Sequence, residues 1–293
     1  MANKPEIIKS NIFELGLSAL APAKINRFLH ILNRKPDRFH QIQTGFQFTN
    51  LCDRVHISIT KQNVMMVNDP LSLGDNNLCI KAAKKFFKDL NISKGCKIAI
   101  EKKIPIGGGM GGGSSNAATT FVLLNEFFNS PLSEDELIKM GNEVGSDIPA
   151  FIFGFSSFAT GTGNILQRME WEGEYILLGT PRCNISTKMI FNHPKLPRLQ
   201  PSVAFPIKLD KTRNDCQDLV KKLFPEIESM FYTLAPYGTP RLTGTGSAVF
   251  VVDPVYGNKP RNNIAEVEFQ NFEGLNNVTL LTLSNRSALF SNF

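Results

Sequence analysis

The chain has 293 residues, 42% of them hydrophobic and 20% charged, which is enough for one large domain or two ordinary ones with a sizeable core. No apolar run approaches the roughly 18 to 20 residues of a membrane span, and the N-terminus has no clean secretory h-region, so the chain reads as soluble and cytoplasmic, with no membrane partner. The net charge of +6 is dispersed, which suits an anionic ligand and gives no nucleic-acid footprint; five scattered cysteines without a CxxC pair argue against a disulfide framework or a zinc site.

Residues 1 to 20 carry no legible motif. "VHISI", 55–59, alternates as a half-buried strand does. "DNNLCIKAAKKFFKDL", 75–90, has helical spacing behind Asp and Asn caps, and its lysines Lys81, Lys84, Lys85 and Lys88 form a solvated face. "CKIAIEKKIPI", 96–106, is a strand. It runs directly into "PIGGGMGGGSSNAA", 105–118, where six of seven consecutive residues are glycine. The following "SSNAATTFVLLNEFFN" is a helix, with Ser114 or Ser115 as cap and Phe121, Leu124, Phe127 and Phe128 as buried face. "SEDELIKMGNEVG", 133–145, is a second helix with a Ser133–Glu136 capping box and a Gly145 stop. "SDIPAFIFG" restarts the chain behind Asp147. A domain boundary falls near "GTGNI", 161–165, giving units 1–160 and 161–293. The proline-rich 192–206 is an ordered excursion, and "RLTGTGSAVFVV", 241–252, is a glycine turn feeding a strand. Strands and helices mix without a βαβ rhythm, so the class is α+β.

A strand, a glycine loop and a helix start together make an anion site. Loop amides and the helix's free N–H groups converge, and glycine lets a phosphate approach the backbone. A tight turn alone rarely needs six glycines. No GK[ST] follows, which excludes a Walker A loop. Gly107, Gly109 and Gly112 match GxGxxG, but the acid that a dinucleotide fold needs after the next strand is missing, since Glu126 lies within the helix. Protein-kinase HRD and DFG segments are absent from the sequence.

The glycine run resembles the phosphate loop of the GHMP kinases, a family of small-molecule kinases. Three more segments fit that family in order: "APAKINRFLHILNRKPDRFHQIQTGFQF" at 21–48, "GSDIPAF" at 145–151 and "RLTGTGSAVF" at 241–250. "RNDC" and "IFNHPKLPR" also fit. The doubled glycine triplet ending in SSNAA is similar to the branch that phosphorylates a diphosphocytidyl-linked alcohol. The alternatives are another GHMP kinase acting on mevalonate, homoserine or a sugar, a nucleotide-binding regulator without catalysis, and a dinucleotide oxidoreductase.

The resemblance implies two domains, one like the second domain of ribosomal protein S5 and one ferredoxin-like, with ATP and a small-molecule substrate in the cleft between them. It places Pro105, Gly107, Gly108, Gly109, Gly111, Gly112, Gly113, Ser114 and Ser115 at the ATP phosphates, and Asn77 and Lys102 near the adenine. Read locally, Asn77 is equally a helix cap and Lys102 a solvated strand lysine. Asp147 reads locally as a helix cap, and the resemblance makes it the acceptor of the hydroxyl proton. Lys24, unexpected between apolar neighbours, becomes the cation beside it, and Asn26 shares its strand face. Phe39 and His40 would recognise the cytosine, with Phe39 standing where most members have Tyr, and Phe191 would cover the other face of the base. Thr243 to Gly246 would brace the acceptor. Magnesium is implied by ATP, with no ligand set readable beyond Asp147.

Overall fold

A computed structural model describes residues 5–34, 40–69, 73–204, 207–255 and 277–290. Phe39, expected at the cytosine, lies outside them. In chain order the elements are β1 (Ile7–Lys9), β2 (Gly16–Arg34), β3 (His40–Thr60), β4 (Val64–Met66), α1 (Leu78–Asp89), β5 (Gly95–Glu101), α2 (Gly112–Phe127), α3 (Glu134–Val144) and α4 (Ile148–Phe153). There follow β6 (Ser157–Thr160), β7 (Ile165–Arg168), β8 (Tyr175–Gly179), α5 (Thr187–Asn192), α6 (Gln217–Leu223), α7 (Pro225–Leu234), β9 (Arg241–Leu242), β10 (Val249–Val252) and β11 (Val278–Ser284). The mixture is α+β.

β3 is the hub of the sheet. It pairs antiparallel with β2, β5, β6 and β11, and β11 carries the sheet on through β8 to β10 and β9. β4 adds a parallel edge to β5. Residues 161–164, the glycine-rich patch expected near a boundary, form the turn of the β6–β7 hairpin. The "VHISI" segment lies inside β3 but does not alternate cleanly. His56 is fully buried, held between Ser10 Oγ and the Glu101 carboxylate, each at 3.0 Å, with β2 and β5 on its two sides in the sheet.

Three apolar cores organise the molecule. The first lies between β2, β3, β5 and the helices α1 to α4, with Phe86, Phe121 and Phe151 at its centre. The second gathers α6, α7, β8 and β10 around Leu219, Ile227 and Leu234, and takes Leu29 and Ile31 from β2. The third joins them: Ala23 and Ile25 of β2 meet Ile176, Leu178 and Phe250, with Met110 of the glycine loop inserted among them. Each large side chain buried this way contributes about 1.5–3 kcal/mol.

β2 changes partner between the first core and the third. Ala19 and Ala21 face the helices, whereas Ala23 and Ile25 face the joining core. The register with β3 breaks between Pro22 and Lys24, and a second shift follows between Asn26 and Phe28, with Arg27 as the extra residue of a bulge. Bulges bend a strand and re-aim its side chains. Lys24 and Asn26 sit between these two breaks, on the face opposite the joining core.

The helix after the glycine loop begins earlier than the serines suggest. Gly111 is its N-cap, without any side-chain cap bond, and Ser114 and Ser115 lie inside its first turn. The expected serine cap is therefore wrong: glycine amides stay open at the helix start. Its residues from Ser115 to Asn125 are all buried, since α2 is wedged between the sheet and α1, α3 and α4, while Phe127, expected inside, is exposed. The Ser133–Glu136 capping box of α3 is present as expected.

Candidate active site

A cavity of about 550 Å³ opens over the glycine loop. The loop glycines at 107, 109 and 111 have φ near 70°, with residues between them of the opposite hand, the backbone alternation of an anion nest. The loop is pinned from below. Ser247 N–H donates to Gly107 O at 2.9 Å and Ala248 N–H to Gly108 O at 3.1 Å, while Lys24 N–H donates to Met110 O at 3.1 Å. A Cβ on Gly109 would sit 2.4 Å from Thr243 O, so this glycine serves backbone packing. A Cβ on Gly113 would meet nothing nearer than Leu78 Cδ1 at 3.8 Å, so that space stays open at the start of α2. The "RLTGTGSA" segment, expected to brace the acceptor, thus supports the glycine loop, and Gly244 and Thr245 also line the cavity.

Lys24, four per cent exposed, reaches the cavity floor. Its ammonium has three acceptors for its three protons: Asn26 Oδ1, Gly109 O at 3.3 Å and Asp147 Oδ2 at 3.5 Å. Burial pushes the Lys24 pKa down, and the Asp147 carboxylate opposes that shift. Asp147 stands at the N-cap position of α4, yet its side chain makes no cap bond; it is about one-third exposed and turned to Lys24. The geometry therefore favours the ion pair over the cap. Asn26 also donates through Nδ2 to Thr44 Oγ1 at 2.8 Å, and its backbone N–H donates to Thr243 Oγ1 at 2.9 Å.

Pro105, the six glycines, Ser114, Asn77 and Lys102 all border the same cavity. Ser115 does not: it is fully buried, and its Oγ has no hydrogen-bond partner among the described residues. Asn77 caps α1 by accepting Cys79 N–H at 3.0 Å, so the local reading of this residue holds alongside its place in the cavity. Lys102 is no free strand lysine. Its Nζ donates to Asp53 Oδ2 and to Ile104 O, both at 2.7 Å, close beside Gly112.

Phe191 lines the far end of the cavity, and His40 packs on it with ring centroids 5.0 Å apart. Arg198 Nε donates to His40 Nε2 at 3.4 Å, which puts the imidazole proton on Nδ1. Burial, with Arg198 and Arg34 nearby, lowers the His40 pKa and keeps the ring neutral.

Several supporting residues escape a sequence reading. Asp53, fully buried, accepts the Lys103 and Ile104 amides at 2.7 and 2.8 Å besides holding Lys102. Asp69 accepts Gly74 N–H at 2.9 Å and Asn77 Nδ2 at 3.3 Å. Arg198 ties His40 to the Phe191 and His193 carbonyls. The one available signal is an aspartate in the middle of a buried strand, as at Asp53, which demands a partner.

No group of three or more His, Cys, Asp or Glu side chains comes together among the described residues as a metal site. Magnesium bound with a nucleotide keeps phosphate oxygens and waters as most of its ligands. One carboxylate, Asp147, and the Ser114 hydroxyl on the cavity wall fit an ion held in that way.

A family model described as GHMP kinases N terminal domain matches residues 77–155. The chain is 40% identical over 241 residues to a protein of Shewanella sp. (strain ANA-3) named 4-diphosphocytidyl-2-C-methyl-D-erythritol kinase, covering 81% of this chain and 85% of that one. It is 42% identical over 238 residues to a protein of the same name from Marinomonas sp. (strain MWYL1), covering 79% and 77%. Its fold is similar to the crystal structure of a 4-(cytidine 5'-diphospho)-2C-methyl-D-erythritol kinase, with a TM-score of 0.73 and 23% identity, over 91% of this chain and 99% of that one.

Proposed function

The chain belongs to the 4-diphosphocytidyl-2-C-methyl-D-erythritol kinase family, and on that premise we propose that it transfers the γ-phosphoryl group of ATP to the 2-hydroxyl of 4-diphosphocytidyl-2-C-methyl-D-erythritol. The products are ADP and the 2-phosphate, on the cytoplasmic route to isoprenoid precursors that avoids mevalonate. The observation that carries this reading is the ion pair of buried Lys24 with half-buried Asp147, which lines the same cavity as the glycine loop.

Phosphoryl transfer has a loose transition state, so the protein mainly positions groups and stabilises charge. The loop amides and the start of α2 cradle the triphosphate, and glycine keeps that approach open at Gly113. The acceptor hydroxyl stands between Asp147 and the γ-phosphate. As its oxygen bonds to phosphorus, the bond from phosphorus to the β-bridging oxygen breaks, the hydroxyl proton passes to the Asp147 carboxylate and ADP leaves. An ordinary carboxylate is a weak base beforehand but accepts a proton that is made acidic during bond formation. Lys24 balances the charge on the transferring group and keeps Asp147 ionised. Asp147 and Ser114 are the residues that would hold a magnesium ion, which would supply charge neutralisation to the phosphates.

Lys102, fixed by Asp53, and Asn77, fixed by Asp69, bind the nucleotide. His40, presenting Nδ1–H, and Phe191 take the cytosine. We read residues 1–160 as the ATP-binding unit of S5-domain type and 161–293 as a ferredoxin-like unit, the first core being drawn mainly from the former and the second mainly from the latter.

The test is ADP release with ATP and magnesium, comparing the diphosphocytidyl alcohol, mevalonate and no acceptor. Turnover is expected with the first alone, and Asp147→Ala should lower kcat by about 10²–10⁴-fold. Consumption of mevalonate instead would sink the cytidine assignment and leave the phosphoryl chemistry standing.

A further inference from the structure

We infer that Thr44 is a positioning residue for phosphoryl transfer, fixing the Asn26 carboxamide so that its oxygen, not its nitrogen, meets the Lys24 ammonium. The inference rests on the reading of Lys24 as the catalytic cation.

A carboxamide is nearly symmetrical in shape, so its orientation is decided by what its two ends meet. One end of Asn26 meets Lys24, which only donates. The other meets Thr44 Oγ1 at 2.8 Å, a hydroxyl that in principle donates or accepts. The Thr44 hydroxyl proton is already committed to Phe28 O. A carbonyl only accepts, so the proton must point there, and the hydroxyl presents lone pairs alone to Asn26. The amide therefore turns its NH2 to Thr44 and its oxygen to Lys24.

The bulge makes this arrangement. Arg27 is the extra residue of β2, so Asn26 and Phe28 stand opposite the successive residues Phe46 and Gly45 of β3. That brings the Phe28 carbonyl and the Asn26 side chain within reach of one threonine. Thr44 is fully buried, so no water replaces its hydroxyl. Asn26 is held at its backbone in a parallel way, by Thr243 Oγ1, which in turn contacts Gly109 O at 3.4 Å.

Without the Thr44 hydroxyl, the amide is free to flip. A flipped amide would turn N–H groups toward the ammonium, setting donor against donor and removing one of the three acceptors of Lys24. Lys24 would then drift from the position where it meets the γ-phosphate. Because the nucleotide cradle is built from other residues, the loss falls on turnover rather than on ATP binding.

The experiment is a kinetic double-mutant cycle with kcat and KM for ATP measured separately. Thr44→Val should lower kcat about tenfold while KM for ATP stays within about twofold, and Thr44→Ser, which keeps the hydroxyl, should stay within about threefold of wild type. Asn26→Ala should lower kcat by itself, and adding Thr44→Val to it should change nothing further. If Thr44→Val does not fold, Thr44→Ala takes its place in the same cycle. Equal losses from Thr44→Val in both backgrounds, or a Thr44→Ser variant as slow as Thr44→Val, would overturn the positioning role while leaving the Lys24 reading intact. Full kcat in Asn26→Ala would overturn both.

Discussion

Lys24 is a lysine surrounded by alanine, proline and isoleucine in sequence, and the structure gives the reason: it is a buried ammonium whose three protons each have an acceptor. Burying such a charge without a counter-charge is strongly unfavourable, so Lys24 and Asp147 stand or fall together. This has a consequence for pH. Burial holds the Lys24 pKa below the ordinary 10.5, and Asp147 pulls it back up. The ammonium is present below the folded pKa and lost as pH rises through it, so kcat should fall along a limb centred below 10.5. In Asp147→Asn the opposing carboxylate is gone, and the limb should move to still lower pH. Steady-state kcat across pH measures both, the variant through its residual turnover. A limb at the same place in the two proteins would show that another group carries it. His40 makes a complementary point: in sequence it is one of four histidines, and only the packing on Phe191 and the bond from Arg198 make it a neutral ring of one tautomer.

The glycine loop separates two uses of the same residue type. Gly109 is held at φ 72° against the backbone of residues 243 and 246, whereas Gly113 lies in the first turn of α2 with open space where a Cβ would go. Gly109→Ala should destabilise the protein by roughly 1–3 kcal/mol through strain and backbone collision. Gly113→Ala should leave Tm unchanged or raise it, since alanine is favoured over glycine in a helix by about 1 kcal/mol. Its methyl group would nevertheless project where the phosphates approach, so KM for ATP should rise about tenfold or more. Thermal melts and ATP kinetics on the two variants check the contrast; a Gly113→Ala protein with normal KM would place the triphosphate elsewhere. The strand–loop–helix order was readable because glycine, serine and alanine runs report local backbone needs. The helix start was not, since Ser114 and Ser115 are good caps in isolation and only the left-handed Gly111 places the start three residues earlier.

Across the whole molecule, four of the five cysteines behave as buried hydrophobes. Cys52, Cys79, Cys96 and Cys216 are free and buried, and burial pushes each thiol up to about 12 from an ordinary 9.0. The unfolded chain loses these protons near pH 9 while the folded one keeps them to about 12. The folded state then binds more protons, so stability falls as pH rises through that window, by about 1.4 kcal/mol per pH unit per fully titrating thiol. Urea midpoints at pH 8 and pH 10 should fall for the wild type and fall less for Cys96→Ala. An equal drop in both would assign the alkaline loss to other groups. No helix among the described residues is long and apolar enough to cross a membrane.

The sequence by itself determined the α+β class, the strand, glycine loop and helix that border the cavity, and the capping box of α3. These depend on neighbours within a few positions, where periodicity, caps and glycine conformations act. The local pattern read Asp147 as a helix cap and only the resemblance set it beside Lys24, as the structure has it; the tertiary structure alone decided that Ser115 turns away from the cavity and that the C-terminal glycine segment underpins the glycine loop. Each of these depends on residues far apart in the chain, such as Asn26 and Thr243, 217 positions apart. The register breaks on either side of Lys24 and Asn26 in β2 bring them together, and nothing in its apolar alternation announces a bulge, because the irregularity is set by which strand lies opposite.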